Sequence, residues 1–185
     1  MTKEEARQEL RKARANVQDR AEKERAMAKA LLAFPPMKRV KCVLLYNAIG
    51  TEPDLSPLLH ALREKGVRIC LPRVEGREMA AVPISEDTVF CKGAFGILEP
   101  QGEAIDPKEI DLVVCPGLGF TPDGSRLGYG GGFYDRFLKK KSALRVGLCY
   151  NACIRNFLPT EESDERMDAL VTECGLVTLG KERCK

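Results

Sequence analysis

The chain has 185 residues, of which 44% are hydrophobic and 31% are charged, and its formal net charge is +3. This length and composition are typical of one globular domain, or of one domain with a small appendage. No apolar run approaches the roughly 18 residues that a membrane-spanning helix needs, and so weak a positive charge does not indicate a nucleic-acid-binding protein.

The N-terminal segment lacks the apolar core of a signal peptide, and its glutamates are atypical of a transit peptide, so we expect a cytoplasmic protein.

The predicted elements alternate between helix and strand along most of the chain. In chain order, the pattern predicts one or two helices within 3–33 that end before Pro35 and Pro36, a strand at 39–46, a helix at 54–65, strands at 67–73 and 79–84, a mostly loop segment at 91–107, a strand at 111–115, a helix from Phe133 to about Lys141, a strand at 145–150, and short strands at 169–173 and 175–179.

The predicted strands are uniformly apolar, which is typical of a parallel sheet covered on both faces. We therefore expect residues 1–185 to form a single α/β domain of three layers, with a mostly parallel central sheet, helices on both faces and an N-terminal helical segment over 3–33. Ligands bind such sheets beyond the carboxyl ends of the strands. The loops that begin at 47, 116 and 151 should therefore converge on one crevice.

Histidine and cysteine usage excludes several kinds of catalytic site. The only histidine is His60, in a stretch that is typical of a helix surface, so a Ser-His-Asp triad, a Cys-His pair and a multi-histidine metal site are excluded. The eight cysteines include no C-x-x-C pair, and four of them, Cys42, Cys70, Cys115 and Cys149, lie in apolar strand-like runs. We expect buried, reduced thiols, and a chemistry based on charges, backbone amides and a hard metal ion.

Residues 126–137, RLGYGGGFYDRF, place four glycines around Tyr129 directly before a predicted helix. Such a loop lets backbone N–H groups approach an anion, Arg126 would add a charged fork for phosphate oxygens, and Asp135 would hold Mg²⁺ against them. The alternative is a flexible turn in which Asp135 is only a favourable charge at the helix start. The segment is neither a Walker A motif nor the dinucleotide fingerprint, whose third glycine is replaced by Phe133.

A basic stripe is predicted on the N-terminal helix. At about 100° per residue, four cations fall on one side of it: Lys3, Arg7, Arg11 and Arg14. Taken alone, such a stripe is more often a solvated face that pairs with nearby glutamates than a binding surface.

The segment PGLGFTPDGSRLGYGGGFYDRFL (116–138) resembles the signature of the 5-formyltetrahydrofolate cyclo-ligase family, also called methenyltetrahydrofolate synthetases. The likeness extends over nearly the whole chain, through Lys3 and Arg7, LPRV (71–74), FGILEP (95–100) and MDALVTE (167–173). Two positions depart from the family pattern: Ala6 stands where leucine is usual, and Ser163 precedes Asp164 where many members have histidine. The resemblance implies a Rossmann-like fold, similar to those of sugar isomerases and CoA transferases.

The resemblance also implies a set of site residues, with Arg126 and Tyr134 as the catalytic ones. The implied ATP site comprises Lys3, Arg7, Arg126, Leu127, Gly128, Tyr129, Gly130, Gly131, Gly132, Phe133 and Tyr134. The implied folate site comprises Asn47, Glu52, Tyr129, Gly130, Gly131, Gly132 and Phe133. Asp135 and Asp164 are the implied Mg²⁺ ligands, and the nearby Asp168 is the carboxylate most easily confused with Asp164.

The activity that the resemblance implies is the ATP- and Mg²⁺-dependent conversion of 5-formyltetrahydrofolate to 5,10-methenyltetrahydrofolate. The expected partners are these two small molecules, with no nucleic acid and no membrane, and the expected state is a monomer or a weak homodimer. One alternative is a non-catalytic ligand-binding or RNA-associated module on the same fold, because fold alone does not fix function. Another is a sugar-phosphate isomerase, although the sequence offers no obvious acid–base pair for that reaction.

Overall fold

A computed structural model describes residues 1–93, 96–139 and 143–179 of the chain. The described helices and strands, in chain order, are α1 (Lys3–Ala15), α2 (Arg20–Leu32), β1 (Cys42–Leu44), α3 (Ser56–Glu64), β2 (Arg68–Glu75), β3 (Glu78–Pro83), β4 (Phe90–Lys92), β5 (Leu98–Pro100), β6 (Leu112–Cys115), β7 (Gly119–Phe120), β8 (Arg126–Leu127), α4 (Phe133–Leu138), β9 (Leu144–Leu148), β10 (Ala169–Thr172) and β11 (Gly175–Thr178). In this part of the chain, no helix is long and apolar enough to cross a membrane.

A seven-stranded sheet in the order β11-β10-β9-β6-β1-β2-β3 forms the centre of the fold. Its inner neighbours, from β10 through β2, all pair in parallel. The edge strands β3 and β11 are antiparallel to their neighbours, because each follows the preceding strand through a tight turn. The predicted mostly parallel sheet is therefore confirmed.

Alternating side chains of the central strands build two separate apolar cores, one on each face of the sheet. On β1, Leu44 packs in the core that contains Leu10 of α1 and Leu138 of α4. Val43, which points the other way, packs in the core that contains Leu31 of α2 and residues of α3. Full burial of one such leucine contributes about 1.5–3 kcal/mol, so these two cores fix the helices on both faces and complete the three layers.

A capping box in the sequence sets the start of the N-terminal helix. Thr2 and Glu5 form a reciprocal capping box, in which Thr2 Oγ1 accepts from Glu5 N at 3.2 Å and Glu5 Oε2 accepts from Thr2 N at 2.7 Å. This cap satisfies two backbone donors at the helix end, and it leaves Lys3 and Arg7 on successive turns of the same side. Both of these side chains line a cavity, where Arg7 contacts the glycine segment and Lys3 contacts Asp164.

Several predicted boundaries differ from the structure, and the strand predicted at 39–46 is limited to Cys42–Leu44. The segment 91–107, expected to be mostly loop, contains β5, which pairs with β4 in a two-stranded antiparallel ribbon. These strands are only three residues long, too short for an alternating apolar pattern to reveal them. Helix α4 begins at Phe133 as predicted but ends at Leu138, and residues 140 and 141 of the predicted extension lie outside the described part of the chain.

The cysteines provide a direct test of the packing. Five described thiols are buried, and only Cys91 and Cys174 are exposed. Burial raises the pKa of the Cys115 thiol to about 12, so its reactive thiolate is scarce at neutral pH. We expect an alkylating reagent to label Cys91 and Cys174 in the native protein and to spare the buried five, as measured by peptide mass mapping. Denatured protein is the control, and rapid native labelling of Cys115 would contradict this packing.

Candidate active site

A cavity of about 680 Å³ opens beyond the carboxyl ends of β1, β2 and β6. Its walls come from the loop after β1, the second half of β2, the glycine segment 128–132, the start of α4 and the first turns of α1. Every residue that the family resemblance named lies on this wall: Lys3, Arg7, Asn47, Glu52, Arg126, Leu127, Gly128, Tyr129, Gly130, Gly131, Gly132, Phe133, Tyr134, Asp135 and Asp164. The predicted convergence of the loops that begin at 47 and 116 is thus confirmed.

The third predicted loop, 151–156, does not line the cavity, and this expectation is wrong. Helix α1 lies across it: Arg155 Nε donates to Glu9 Oε1 at 2.9 Å, and Ile154 bridges to Phe120. This loop contacts α1, and the cavity wall instead contains Glu161, Ser163 and Asp164, which come later in the chain.

The glycine segment needs glycine at two positions for backbone reasons. Gly130 has φ +102° and Gly132 has φ +65°, conformations that residues with a Cβ rarely adopt. A Cβ on Gly132 would also approach Arg136 Nη1 to 2.7 Å. Arg7 Nε donates to the Gly128 carbonyl at 3.1 Å, so α1 holds the segment from the other side of the cavity.

Arg126 is fixed in the wall by several contacts and is 8% exposed. Its Nη2 donates to both carboxylate oxygens of Asp135, at 2.8 Å each, and Nη1 donates to the Pro116 carbonyl at 3.2 Å. The guanidinium also lies 5.7 Å from the centre of the Tyr134 ring. Asp135 is therefore the counter-ion of Arg126. Its role is thus more than the favourable charge at a helix start that the alternative interpretation gave it.

Lys3 and Asp164 form a second ion pair in the same wall, at 2.9 Å. Lys3 also contacts Glu161 at 3.0 Å, and these hydrogen bonds raise the pKa of Lys3 although burial alone would lower it. The contacts of Asp164 go to Oδ2, which leaves Oδ1 without a hydrogen-bond partner among the described residues. Asp168 lies elsewhere, between β9 and β10, where its Oδ2 accepts from Arg145 N at 2.9 Å.

Glu52 is the centre of a buried polar cluster and is 5% exposed. Its Oε2 accepts from Ile49 N at 2.8 Å, and its Oε1 accepts the hydroxyl proton of Tyr129. Burial raises the pKa of this carboxyl group, and the contacts with Tyr129, Ile49 N–H and Arg14 oppose the rise. Tyr129 itself is 43% exposed, so it is a wall residue and not an ordinary core aromatic.

The four cations of the basic stripe on α1 have different environments, which their spacing in the sequence does not predict. Lys3 and Arg7 line the cavity, and Arg11 is exposed and pairs with Glu4. Arg14 was expected on a solvated face, and this expectation is wrong: it is 4% exposed and contacts Tyr129. The turn of α1 that carries Arg14 packs against the loop that follows β1, which excludes solvent from this one position.

Other wall residues were missed by the sequence reasoning. An apolar side of the cavity is formed by Tyr46, Ile49, Pro72, Val74, Met79 and Ile97. The segments LPRV and FGILEP carry three of these residues, and their likeness to the family was the one available signal. Asn47 Nδ2 donates to the Leu98 carbonyl at 2.6 Å, which fixes β5 at the rim of the cavity.

The Tyr134 hydroxyl is the most unusual polar group of the cavity. It is buried and has no hydrogen-bond partner among the described residues. Burial, together with the nearby Cys115 and Glu52, raises its pKa well above the ordinary value for tyrosine. A buried hydroxyl without a partner costs about 1–3 kcal/mol, so it is a donor whose partner is expected to be a ligand.

Comparison with known proteins agrees with this geometry. The model of the 5-formyltetrahydrofolate cyclo-ligase family matches residues 1–173. A 5-formyltetrahydrofolate cyclo-ligase of Haemophilus influenzae is 30% identical, over 85% of this chain and 90% of its own length. The mitochondrial 5-formyltetrahydrofolate cyclo-ligase of Arabidopsis thaliana is 32% identical, over 86% of this chain and 69% of its own.

A solved structure extends the similarity to the whole fold. The NMR structure of Aquifex aeolicus 5,10-methenyltetrahydrofolate synthetase superimposes with a TM-score of 0.86 and 34% identity, and it covers 100% of this chain and 96% of its own. This match agrees with a cavity whose wall contains every site residue that the family resemblance implied. The chain belongs to the 5-formyltetrahydrofolate cyclo-ligase family, whose members are ATP-dependent ligases of folate one-carbon metabolism.

Proposed function

We propose that this chain converts 5-formyltetrahydrofolate to 5,10-methenyltetrahydrofolate, with ATP consumed to ADP and phosphate. The observation that carries the proposal is that one cavity of this cyclo-ligase chain contains both a group of cations and a buried carboxylate. Three cations, Lys3, Arg7 and Arg126, line the cavity together with the glycine segment, and a buried carboxylate, Glu52, accepts a hydrogen bond from Tyr129 of that segment. The first group suits the phosphates of a nucleotide, and the second suits the hydrogen-bond donors of a pterin ring.

The reaction explains why such a site needs charge and position more than a titrating base. A formamide is a poor electrophile, so the γ-phosphoryl group of ATP is transferred to the formyl oxygen and ADP leaves. The neighbouring folate nitrogen then attacks the formyl carbon, loses its proton, and expels the oxygen as phosphate. Phosphoryl transfer depends mainly on alignment and on neutralisation of charge, which fixed arginines and lysines supply.

At the nucleotide end, we assign the phosphates to Lys3, Arg7, Arg126 and the backbone of Leu127 to Tyr134. Helix α4 has only six residues, so the fixed side-chain charges contribute more here than the helix dipole does. An incoming phosphate would compete with Asp135 for the Arg126 guanidinium. Such an exchange keeps the buried arginine paired both before and after binding.

We assign the Tyr134 hydroxyl to the reacting oxygen. With its raised pKa it stays a neutral donor at physiological pH, and a hydrogen bond from it would stabilise the charge that develops on the formyl or phosphoryl oxygen. Arg126 lies beside the same ring and would act on the same charge. These two residues are the proposed catalytic pair.

At the folate end, we assign Glu52 to the amino-pyrimidine edge of the pterin. Its two oxygens each hold one donor already, and each carboxylate oxygen has a further lone pair for a ligand. Asn47 lines the same cavity and has a side-chain oxygen that would accept from the ligand, and Tyr129, Phe133 and the glycine segment would contact the flat rings. The apolar side of the cavity suits the rest of the folate.

The residues present also fit Mg²⁺. Among the described residues, no group of three or more histidine, cysteine or acidic side chains could hold a metal ion by itself. Asp164 does offer an oxygen without a partner in the cavity, and Asp135 lies on the same wall. Mg²⁺ is commonly held by one or two carboxylates together with substrate phosphates, so Asp135 and Asp164 would hold it only with ATP present. When bound, the ion would neutralise phosphate charge.

We expect Asp164→Asn and Asp135→Asn each to raise the Mg²⁺ concentration needed for half-maximal rate by about tenfold or more, as is typical when a metal site loses one supporting group. The measurement is the initial rate against Mg²⁺ at saturating ATP and folate. Glu162→Gln, an exposed change close by, is the matched control. If Asp168→Asn and not Asp164→Asn shifts the requirement, the second ligand is misassigned, and an unchanged requirement in all variants would refute the assignment.

The proposed reaction has a direct test. Protein mixed with ATP, Mg²⁺ and 5-formyltetrahydrofolate should generate the absorbance of the conjugated methenyl product, and mixtures without ATP should not. Binding of both ligands without product would favour the non-catalytic alternative.

The same preparation, analysed by sedimentation with and without ligands, tests the proposed monomer or weak homodimer. We propose a cytoplasmic location, although the relative from Arabidopsis thaliana is mitochondrial.

A further inference from the structure

Arg14 is a buried cation that belongs to no part of the site that the family resemblance names. From α1 its Nε donates to Thr51 Oγ1 at 2.9 Å and its Nη1 donates to the Tyr129 hydroxyl oxygen at 2.8 Å. The same Nη1 lies 3.9 Å from Glu52 Oε1, and the guanidinium lies 5.6 Å from the centre of the Tyr129 ring. Burying an arginine is costly unless it is paired, so this position has a specific partner.

The hydrogen bonds of this cluster have a fixed direction. An arginine can only donate, so the Tyr129 oxygen must accept from Arg14. The single Tyr129 proton is then directed to Glu52, whose Oε1 accepts it. Arg14 therefore determines which way the Tyr129 hydroxyl points, and it does so from the helix that also carries Lys3 and Arg7.

The Arg20 side chain ties the backbone of Arg14 to the loop that carries Thr51. Arg20 Nη1 donates to the Thr51 carbonyl at 2.9 Å, and its Nη2 donates to the Arg14 carbonyl. The start of α2 thus ties the end of α1 to the loop that carries Glu52. Arg11, one turn earlier, is exposed and pairs only with Glu4 among the described contacts, so the arrangement is specific to position 14.

We propose that Arg14 is a positioning residue of the folate site, which keeps the Glu52 carboxylate charged and oriented and aims the Tyr129 hydroxyl at it. The proposal rests on the proposed role of Glu52 as the acceptor for the pterin edge. It adds a residue that acts through Glu52 and Tyr129 and that does not itself line the cavity.

The electrostatics support this role. The groups that face Glu52 are Arg14 from α1, Tyr129 from the glycine segment, Tyr134 from α4 and Tyr46 after β1. Arg14 is the cation among them, and it opposes the effect of burial, which raises the pKa of Glu52. Without Arg14 this pKa should rise further, so Glu52 would take up its proton at a higher pH. Folate binding that needs the carboxylate would then be lost at a correspondingly higher pH.

The first experiment measures Glu52 directly in the ligand-free protein. Carbon-13 NMR of labelled glutamate carboxyls, with Glu52→Gln used for assignment, gives the titration midpoint of Glu52. We expect Arg14→Gln, which keeps an N–H donor but removes the charge, to raise that midpoint by about one pH unit or more. Arg14→Lys should lie close to wild type. Arg11→Gln, on the same helix, is the matched control and should change nothing. An unchanged midpoint in Arg14→Gln would overturn the proposal.

The second experiment asks whether Arg14 acts through Glu52. Calorimetric titration of 5-formyltetrahydrofolate across pH should show that Arg14→Gln loses binding at a pH about one unit higher than wild type does, so that below both midpoints it binds about tenfold more weakly. In a Glu52→Gln background, Arg14→Gln should weaken folate binding little further, because both changes act through the Glu52 carboxylate. Additive losses, or a wild-type pH profile, would overturn the proposal. If wild type binds no folate, the proposed function fails, whereas the NMR titration still tests Arg14.

Discussion

Replacement of Arg126 by alanine is expected to lower turnover by about 10²-fold or more, the usual cost of removing one charge-stabilising donor from a preorganised site. Arg126 is fixed by Asp135, by the Pro116 carbonyl and by the Tyr134 ring before any ligand arrives. Its charge is therefore already aligned when phosphate charge develops. The measurement is the rate at saturating ATP and folate, which separates turnover from binding.

The structure adds a second effect of the same change. Alanine at 126 leaves Asp135 without its cation in a largely buried position, so we expect a lower midpoint of thermal unfolding as well. Lysine should rescue turnover poorly, because it lacks the planar fork that serves Asp135 and Pro116 together. Arg166→Ala, which removes an exposed arginine paired with Asp123, is the control. Turnover close to wild type in Arg126→Ala would contradict the assigned role.

Removal of Glu52 is expected to separate the two ligands. A hydrogen bond to a charged acceptor contributes roughly 1.5–3 kcal/mol, so Glu52→Ala should weaken folate binding by about one to two orders of magnitude. ATP affinity measured without folate should stay within a few-fold of wild type, because Lys3, Arg7 and Arg126 are untouched. Glu52→Gln keeps an oxygen for Tyr129 and should fall between wild type and Glu52→Ala. Calorimetric titration of each ligand separately makes the measurement.

The outcomes for Glu52 have distinct meanings. Glu52→Ala also leaves Arg14 buried without its carboxylate, so unfolding should be measured first to show that the binding loss occurs in folded protein. Loss of ATP binding with folate binding kept would mean that the two ends of the cavity are assigned in reverse. If neither affinity changes, Glu52 only closes its loop through Ile49 N–H.

The sheet and the glycine segment could be predicted from local patterns of residues. Continuous apolar runs such as 112–115 predict buried parallel strands, because a strand covered on both faces has no polar side. The helix start at Phe133 follows from the end of the glycine run. Both signals are local, so they can be read without knowledge of distant contacts. The family resemblance, a longer pattern, supplied the site residues that local chemistry could not specify.

Contacts between distant parts of the chain determine which of several similar residues line the cavity. Arg11 and Arg14 have the same chemistry and the same stripe, yet only Arg14 is covered, because that turn of α1 packs on the loop of Thr51. Asp164 lines the cavity whereas Asp168, four residues later, accepts from the backbone of β9. The loop 151–156 follows β9 at the expected edge of the sheet, but it contacts α1 and does not line the cavity. Burial and partner choice depend on residues far apart in the chain, which periodicity and spacing do not encode.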